Sequence, residues 1–191
     1  MYHKRNKELE VISLYRGNYK IRFYLREIAK LTKIPVKTIQ TLLTKLEKES
    51  ILKSMVEGKN KYFSLNLDNI QTRSMLLQSE IYKTNLFLEK YPVFKTFLKS
   101  IKTNDLFLVF GSFAKLSANK MADVDMLIIS TKETFPFHLL PYKIHKIILS
   151  EESFIKAVRE QEILIKEIEE NHIILNNHSL YINVMWGYCG K

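Results

Sequence analysis

The chain has a single cysteine, Cys189, so it can form no internal disulfide and no cysteine-rich metal cage. No uninterrupted apolar stretch approaches the length of a membrane span, so no membrane partner is expected. The basic opening MYHKRNKELE has no apolar stretch behind it, which argues against a secretory signal and makes a reducing cytoplasm the expected location. Low-complexity segments and internal repeats are absent. Glycine and proline are few, five and four, and several fall where the apolar pattern breaks: Gly17, Pro35, Gly58, Pro92 and Gly111.

What is present is ordinary in amount and uneven in placement. Hydrophobic residues make up 46% and charged residues 26%, enough for packed cores in one large domain or two small ones. The net charge is +10, and residues 1–68 hold 15 Lys and Arg against 7 Asp and Glu. Residues 69–191 hold 15 against 13. The positive excess therefore sits in the first third, as either a solvated basic surface or a nucleic-acid footprint.

That first third has a recognisable order. Leu9, Ile12, Leu14 and Tyr15 suggest a helix ending near Gly17-Asn18, and residues 20–24 a short strand. Leu25, Ile28, Ala29 and then Leu31 or Thr32 have helical spacing. Pro35 suits the first turn of the next helix, whose buried stripe is Ile39, Leu42, Leu43 and Leu46. Its other face carries Lys37, Thr38, Gln40, Thr41, Thr44, Lys45 and Lys48. A recognition helix needs this layout, because its early side chains meet base edges while Lys holds phosphates. Two strand-like runs, 51–56 and 61–65, are joined by Glu57-Gly58-Lys59-Asn60, a hairpin with a basic tip at Lys59, Asn60 and Lys61.

The stretch LREIAKLTKIPVKTIQTLLTKLEKESILKSMVEGKNKYFSLN resembles winged helix-turn-helix regulators of the general MarR and ArsR type, over residues 8–67. The resemblance implies a domain at 1–68 that binds double-stranded DNA through Lys37, Thr38, Gln40, Thr41, Lys45, Lys59, Asn60 and Lys61. The same fold also serves as a dimerisation or protein-docking module, and charge asymmetry favours DNA. Residues 69–104 form a helical connection, with Leu76, Leu77, Ile81, Tyr82 and Leu88 among charges, as a spacer or the seam of a homodimer. Phe94, Phe97, Leu98 and Ile101 then begin a second core.

The chemical signal lies in residues 105–191. Leu106 to Phe110 is a continuous apolar run, as for a strand buried on both faces. Gly111-Ser112 ends it, and a helix is expected to open with Phe113-Ala114-Lys115; a strand stopping at glycine lets a ligand approach the backbone, and helix N–H groups favour phosphate. Asp123 and Asp125 lead the next strand, Met126 to Ile129, and at i and i+2 they share a face. Two adjacent carboxylates repel unless a divalent cation lies between them. Phosphate donors beside metal ligands point to a nucleoside-triphosphate site.

VFGSFAKLSANKMADVDMLII resembles the active-site signature of the DNA polymerase β-like nucleotidyltransferases, in particular the small bacterial and archaeal ones. The resemblance implies an α/β (α+β) domain with a mixed sheet and flanking helices. Asp123 and Asp125 would be catalytic and hold Mg²⁺ or Mn²⁺, while Gly111, Ser112 and Lys115 would bind the nucleotide, expected to be ATP. In active members a third carboxylate on a following strand completes the metal site. The matching run here, 143–149, has no acid; His145 stands near that position, with Lys143 and Lys146 nearby, and reads as a strand-surface histidine. Glu151 and Glu152 suit a helix first turn capped by Ser150. One helix is expected over 151–170, a strand over 172–175 and a terminal helix over 180–188.

Three functions stay open. One is transfer of a nucleoside monophosphate to a protein or nucleic-acid acceptor; antitoxin-like relatives modify a partner protein, often a HEPN-type ribonuclease toxin. Another is a catalytically inactive, nucleotide-sensing transcription regulator, and the third an antitoxin-like interaction module.

Overall fold

The computed structural model describes residues 5–119, 122–132 and 134–189. The side chain of Asn6 accepts from the Leu9 N–H at 3.1 Å and starts α1 (Lys7–Ile12), which tightens into a single 3₁₀ turn at Ser13–Tyr15. Val11, Ile12 and Tyr15 are buried there, while Leu9 and Leu14 are half-buried. After β1 (Arg22–Tyr24), α2 (Leu25–Thr32) stops at Lys33, whose φ of 55° ends the helical path. Pro35 caps α3 (Val36–Lys48), which buries Ile39, Leu43 and Leu46. Leu42 is only half-buried.

β2 (Leu52–Glu57) and β3 (Asn60–Leu65) form a hairpin with Glu57 opposite Asn60. The connection is thus two residues, Gly58-Lys59, rather than the four expected. Gly58 takes the first central position with φ +59°, which a two-residue turn with glycine there requires. β1 adds to β3, giving a three-stranded antiparallel sheet in the order β1-β3-β2. The buried Tyr15 hydroxyl donates to the Phe63 carbonyl at 3.1 Å, fastening the first helical segment to this sheet.

The chain forms two compact units, one ending at Ser79 and one spanning Glu80–Tyr188. The division falls inside α4 (Ile70–Lys90). Its buried positions include Thr72, Leu76, Ser79, Glu80, Thr84 and Phe87, while Ile81 is exposed. The expected helix is present and Leu76 is buried in it, but most of its buried positions are polar and satisfied. Thr72 donates to Ile51 O, Ser79 to Leu76 O and Thr84 to Ile174 O, at 3.2, 2.8 and 2.5 Å.

In the second unit α5 (Val93–Ser100) precedes β4 (Leu106–Phe110). A one-turn helix α6 (Gly111–Ala114) follows, then β5 (Val124–Ile129) and β6 (Ile144–Leu149). The expected long helix is two: α7 (Glu151–Glu160) and α8 (Ile163–Glu170), broken at Gln161 with φ 52°. Ile163 is 82% exposed and Ile165 is buried in its place, because the break resets the helical phase. Ser150 caps α7 as expected, accepting from the Ser153 N–H at 3.1 Å. β7 (His172–Asn176) and α9 (His178–Cys189) complete the unit.

The four strands order as β6-β5-β4-β7. β5 runs antiparallel to β4 and parallel to β6, and β7 is antiparallel to β4. Phe107, Val109, Met126, Ile128 and Ile173 face a cluster that also holds Phe87, Phe94, Phe97 and Phe113. Leu106, Leu108, Leu127 and Ile174, pointing the other way, are buried too, so β4, β5 and β7 are covered on both faces while the edge strand β6 stays partly exposed. The architecture is therefore mixed α+β. Among the described residues, no helix is long and apolar enough to cross a membrane.

Candidate functional site

β4 and β5 bring the two sequence motifs together. Phe110, the last residue of β4, pairs with Asp125, so the Gly111-Ser112 corner lies beside that carboxylate. Gly111 has φ +66°, and a Cβ built on it would collide with Asp125 Oδ2. Glycine is required here twice over, by its backbone angle and by the carboxylate against its Cα. The helix that follows begins at Gly111, earlier than the expected start at Phe113, and is one turn long. The Ser112 carbonyl is occupied by Ser117, whose N–H donates at 3.1 Å and whose hydroxyl donates at 3.3 Å.

Asp123 lies just ahead of β5 and Asp125 within it, each side chain 35% exposed. In the parallel ladder His145 stands opposite Asp125. Its Nε2 is 3.3 Å from Asp123 Oδ2 and its Nδ1 is 3.5 Å from Asp125 Oδ1. Lys143 Nζ is 3.5 Å from Asp123 Oδ2. The histidine read as a surface residue thus bridges both carboxylates, and Lys143 adds a full positive charge. Lys115, exposed at the end of α6, has no ion pair with either aspartate. Lys120 and Met121, in the spacer between the motifs, lie outside the described residues.

Among the described residues, no group of three or more His, Cys, Asp or Glu is arranged to hold a metal ion. The two aspartates alone offer hard oxygen donors of the kind Mg²⁺ accepts, and Mg²⁺ commonly uses one or two carboxylates plus substrate phosphates. The donor set fits one cation shared with a nucleotide, and the residue facing Asp125 across the ladder is His145.

In the first unit Lys37, Gln40, Thr41 and Lys45 are exposed on α3, and Thr38 is half-buried. Lys59 and Asn60 are exposed at the hairpin. Two of the expected phosphate contacts are already engaged. Lys45 Nζ reaches Glu8 at 2.7 Å, and this contact raises its pKa. Lys61 Nζ reaches Glu47 at 2.8 Å, and Ser54 also donates to Glu47. The Lys61 ammonium, helped by the Ser54 hydroxyl, holds the Glu47 carboxyl below the usual carboxylate range. Sequence reading passed over Glu47 because it is an acid on a basic helix, and nothing local reveals that the hairpin folds back onto it.

No known protein family, curated protein or solved structure matches the chain. The site geometry therefore carries the functional reading.

Proposed function

We propose that the chain is a DNA-binding protein whose second unit binds a nucleoside triphosphate, ATP by preference, with Mg²⁺ or Mn²⁺. The activity this would serve is transfer of the nucleoside monophosphate to a protein or nucleic-acid acceptor. One observation carries the reading: the Asp125 carboxylate lies against Gly111, where a Cβ would collide with it, and Asp123 and Asp125 converge on the same His145 ring. A Gly-Ser corner and a pair of carboxylates are each common, and this juxtaposition is not. It supports the resemblance to small nucleotidyltransferases.

Asp123 and Asp125 would hold the cation, whose contribution is to offset phosphate charge. Gly111 lets the Asp125 carboxylate lie against the strand end, so a cation held there would bring the triphosphate to the Gly111-Ser112 corner. Ser112 offers a hydroxyl at the same corner. An acceptor hydroxyl would form its bond to the α-phosphorus as the bond to pyrophosphate breaks. For the first unit, the exposed Lys37, Gln40 and Thr41 of α3 and Lys59 of the hairpin support the winged-helix reading and a duplex partner.

Nucleotide sensing without transfer is the second reading, and His145 favours it. It stands in place of a third carboxylate and, with Lys143, supplies the aspartates with partners from within the chain. Calorimetry with ATP and Mg²⁺ tests the shared core of both readings. Asp123→Asn and Asp125→Asn should each weaken binding markedly; binding equal to the parent's in both would make the pair structural only. Incubation with labelled ATP and candidate acceptors, a HEPN-type toxin included, then separates transfer from sensing.

A further inference from the structure

A cleft of about 750 Å³ opens in the first unit between the start of α2, the middle of α3 and the hairpin. Its size lies within the range of small-molecule sites, roughly 300–1,000 Å³. The floor is apolar, made by Leu25, Leu43 and the ring of Phe63. Tyr24 lines it as an aromatic wall, its own ring held edge-on to Tyr62 at 5.9 Å. Arg26 and Lys59 line it as well, and no described residue forms an ion pair with either. The third cation, Lys61, is spent on Glu47, the only acid in the lining, so the cleft keeps a balance of two positive charges. Gln40 and Asn60 complete the rim with two carboxamides.

We propose that this cleft is a second nucleotide site, taking a nucleoside monophosphate with its base against Tyr24 and its phosphate between Arg26 and Lys59. Each part of the ligand answers one feature of the wall. A flat base stacks on an aromatic ring whatever its identity, and carboxamides pair with the donor and acceptor edge of a base. Phosphate is the dianion that two unpaired cations suit, and Arg26 offers it a planar fork of donors. Among the described lining residues no carboxylate is free to hold a divalent cation, because Glu47 is occupied by Lys61 and Ser54. The cleft therefore differs in kind from the Asp123–Asp125 site and does not depend on it; because Gln40 and Lys59 are also read as duplex contacts, a bound monophosphate would compete with DNA for them.

The test titrates the whole chain, in EDTA, with adenosine 5′-monophosphate, adenosine and inorganic phosphate by calorimetry. The monophosphate should bind, with adenosine and phosphate each about tenfold weaker or more, since each fills half of the cleft. Arg26→Gln with Lys59→Gln should weaken the monophosphate about tenfold or more and leave adenosine unchanged. Gln40→Ala, a single exposed change that spares the core, should cost about fivefold and guards against misfolding of the double variant. Asp125→Asn, which removes a proposed cation ligand of the other site, should leave the affinity for the monophosphate in EDTA at the parent's value. No binding of the monophosphate at millimolar concentration would overturn the proposal. So would binding that survives the Arg26, Lys59 and Gln40 changes, or that is lost in Asp125→Asn.

Discussion

His145 and Asp125 face each other across the parallel ladder of β5 and β6, with His145 Nδ1 3.5 Å from Asp125 Oδ1. The same ring reaches Asp123, so one imidazole lies beside both carboxylates. An imidazole supplies no hard anionic oxygen. His145→Asp should therefore raise Mg²⁺ affinity and any nucleotidyl transfer above the parent's level. Calorimetry with Mg²⁺ and a labelled-ATP assay check both. Weaker Mg²⁺ binding, or high parental transfer that the change abolishes, would mean the site is completed by another route.

Gly111→Ala should be costly for its size. The new Cβ meets the Asp125 carboxylate, and a left-handed φ adds strain of the order of 1–3 kcal/mol. Urea unfolding measures the loss. Asp125→Gly in the Gly111→Ala background removes the colliding group, so the double variant should lose less stability than the two single losses added. Strict additivity would show that the close approach is unimportant.

Lys59 and Lys61 should differ in their effect on DNA binding, although they are hairpin neighbours. Lys59 is unpaired by any described residue, and its change to Ala should flatten the slope of log affinity against log salt by about 0.9. Lys61 already holds Glu47 at 2.8 Å, so Lys61→Ala should flatten it less. The pair of changes together should then fall short of twice the Lys59 effect. Filter binding to duplex DNA across a salt series decides, and equal slopes for the two single variants would refute it.

The Glu47 clasp predicts a pH effect with a definite sign. Its folded-state carboxyl is depressed, chiefly by the Lys61 hydrogen bond, so its stabilisation is present above the ordinary carboxylate range. It is lost as pH falls through the depressed folded value. For a pair this exposed the size is at most about 1 kcal/mol. The stability of the parent and of Glu47→Gln should converge on acidification, and a gap that widens instead would reverse the assignment.

Glu80 and His172, with side chains 0% and 2% exposed, pair at 3.2 Å inside the second unit. The other ring nitrogen of His172 is 2.8 Å from the Ile168 carbonyl, which tethers the start of β7 to the end of α8. Glu80→Ala removes a buried acceptor from this arrangement and should cost about 1–3 kcal/mol in urea unfolding. A loss below a few tenths would mean the pair is dispensable.

Local patterns in the sequence determined a good deal by themselves. The α3 stripe, the apolar β4 and β5 runs, and the Ser150 cap all depend on neighbours within a few residues, where periodicity and capping act. Gly111, Ser112, Asp123 and Asp125 were legible as a group because short-range spacing sets them at adjoining strand ends. Tertiary structure alone decided the rest. The buried face of α4 is largely polar, and its hydrogen bonds run to Ile51, Ile174 and His172, so no apolar period could announce it. Gln161 breaks a helix without glycine or proline, by adopting a left-handed φ that its composition does not signal. That Lys61 reaches Glu47 depends on how the hairpin folds back onto α3, which no local pattern signals. The contacts of His145 depend on a parallel register between strands whose facing residues lie twenty positions apart, and that pairing is set by which sheet faces must be buried.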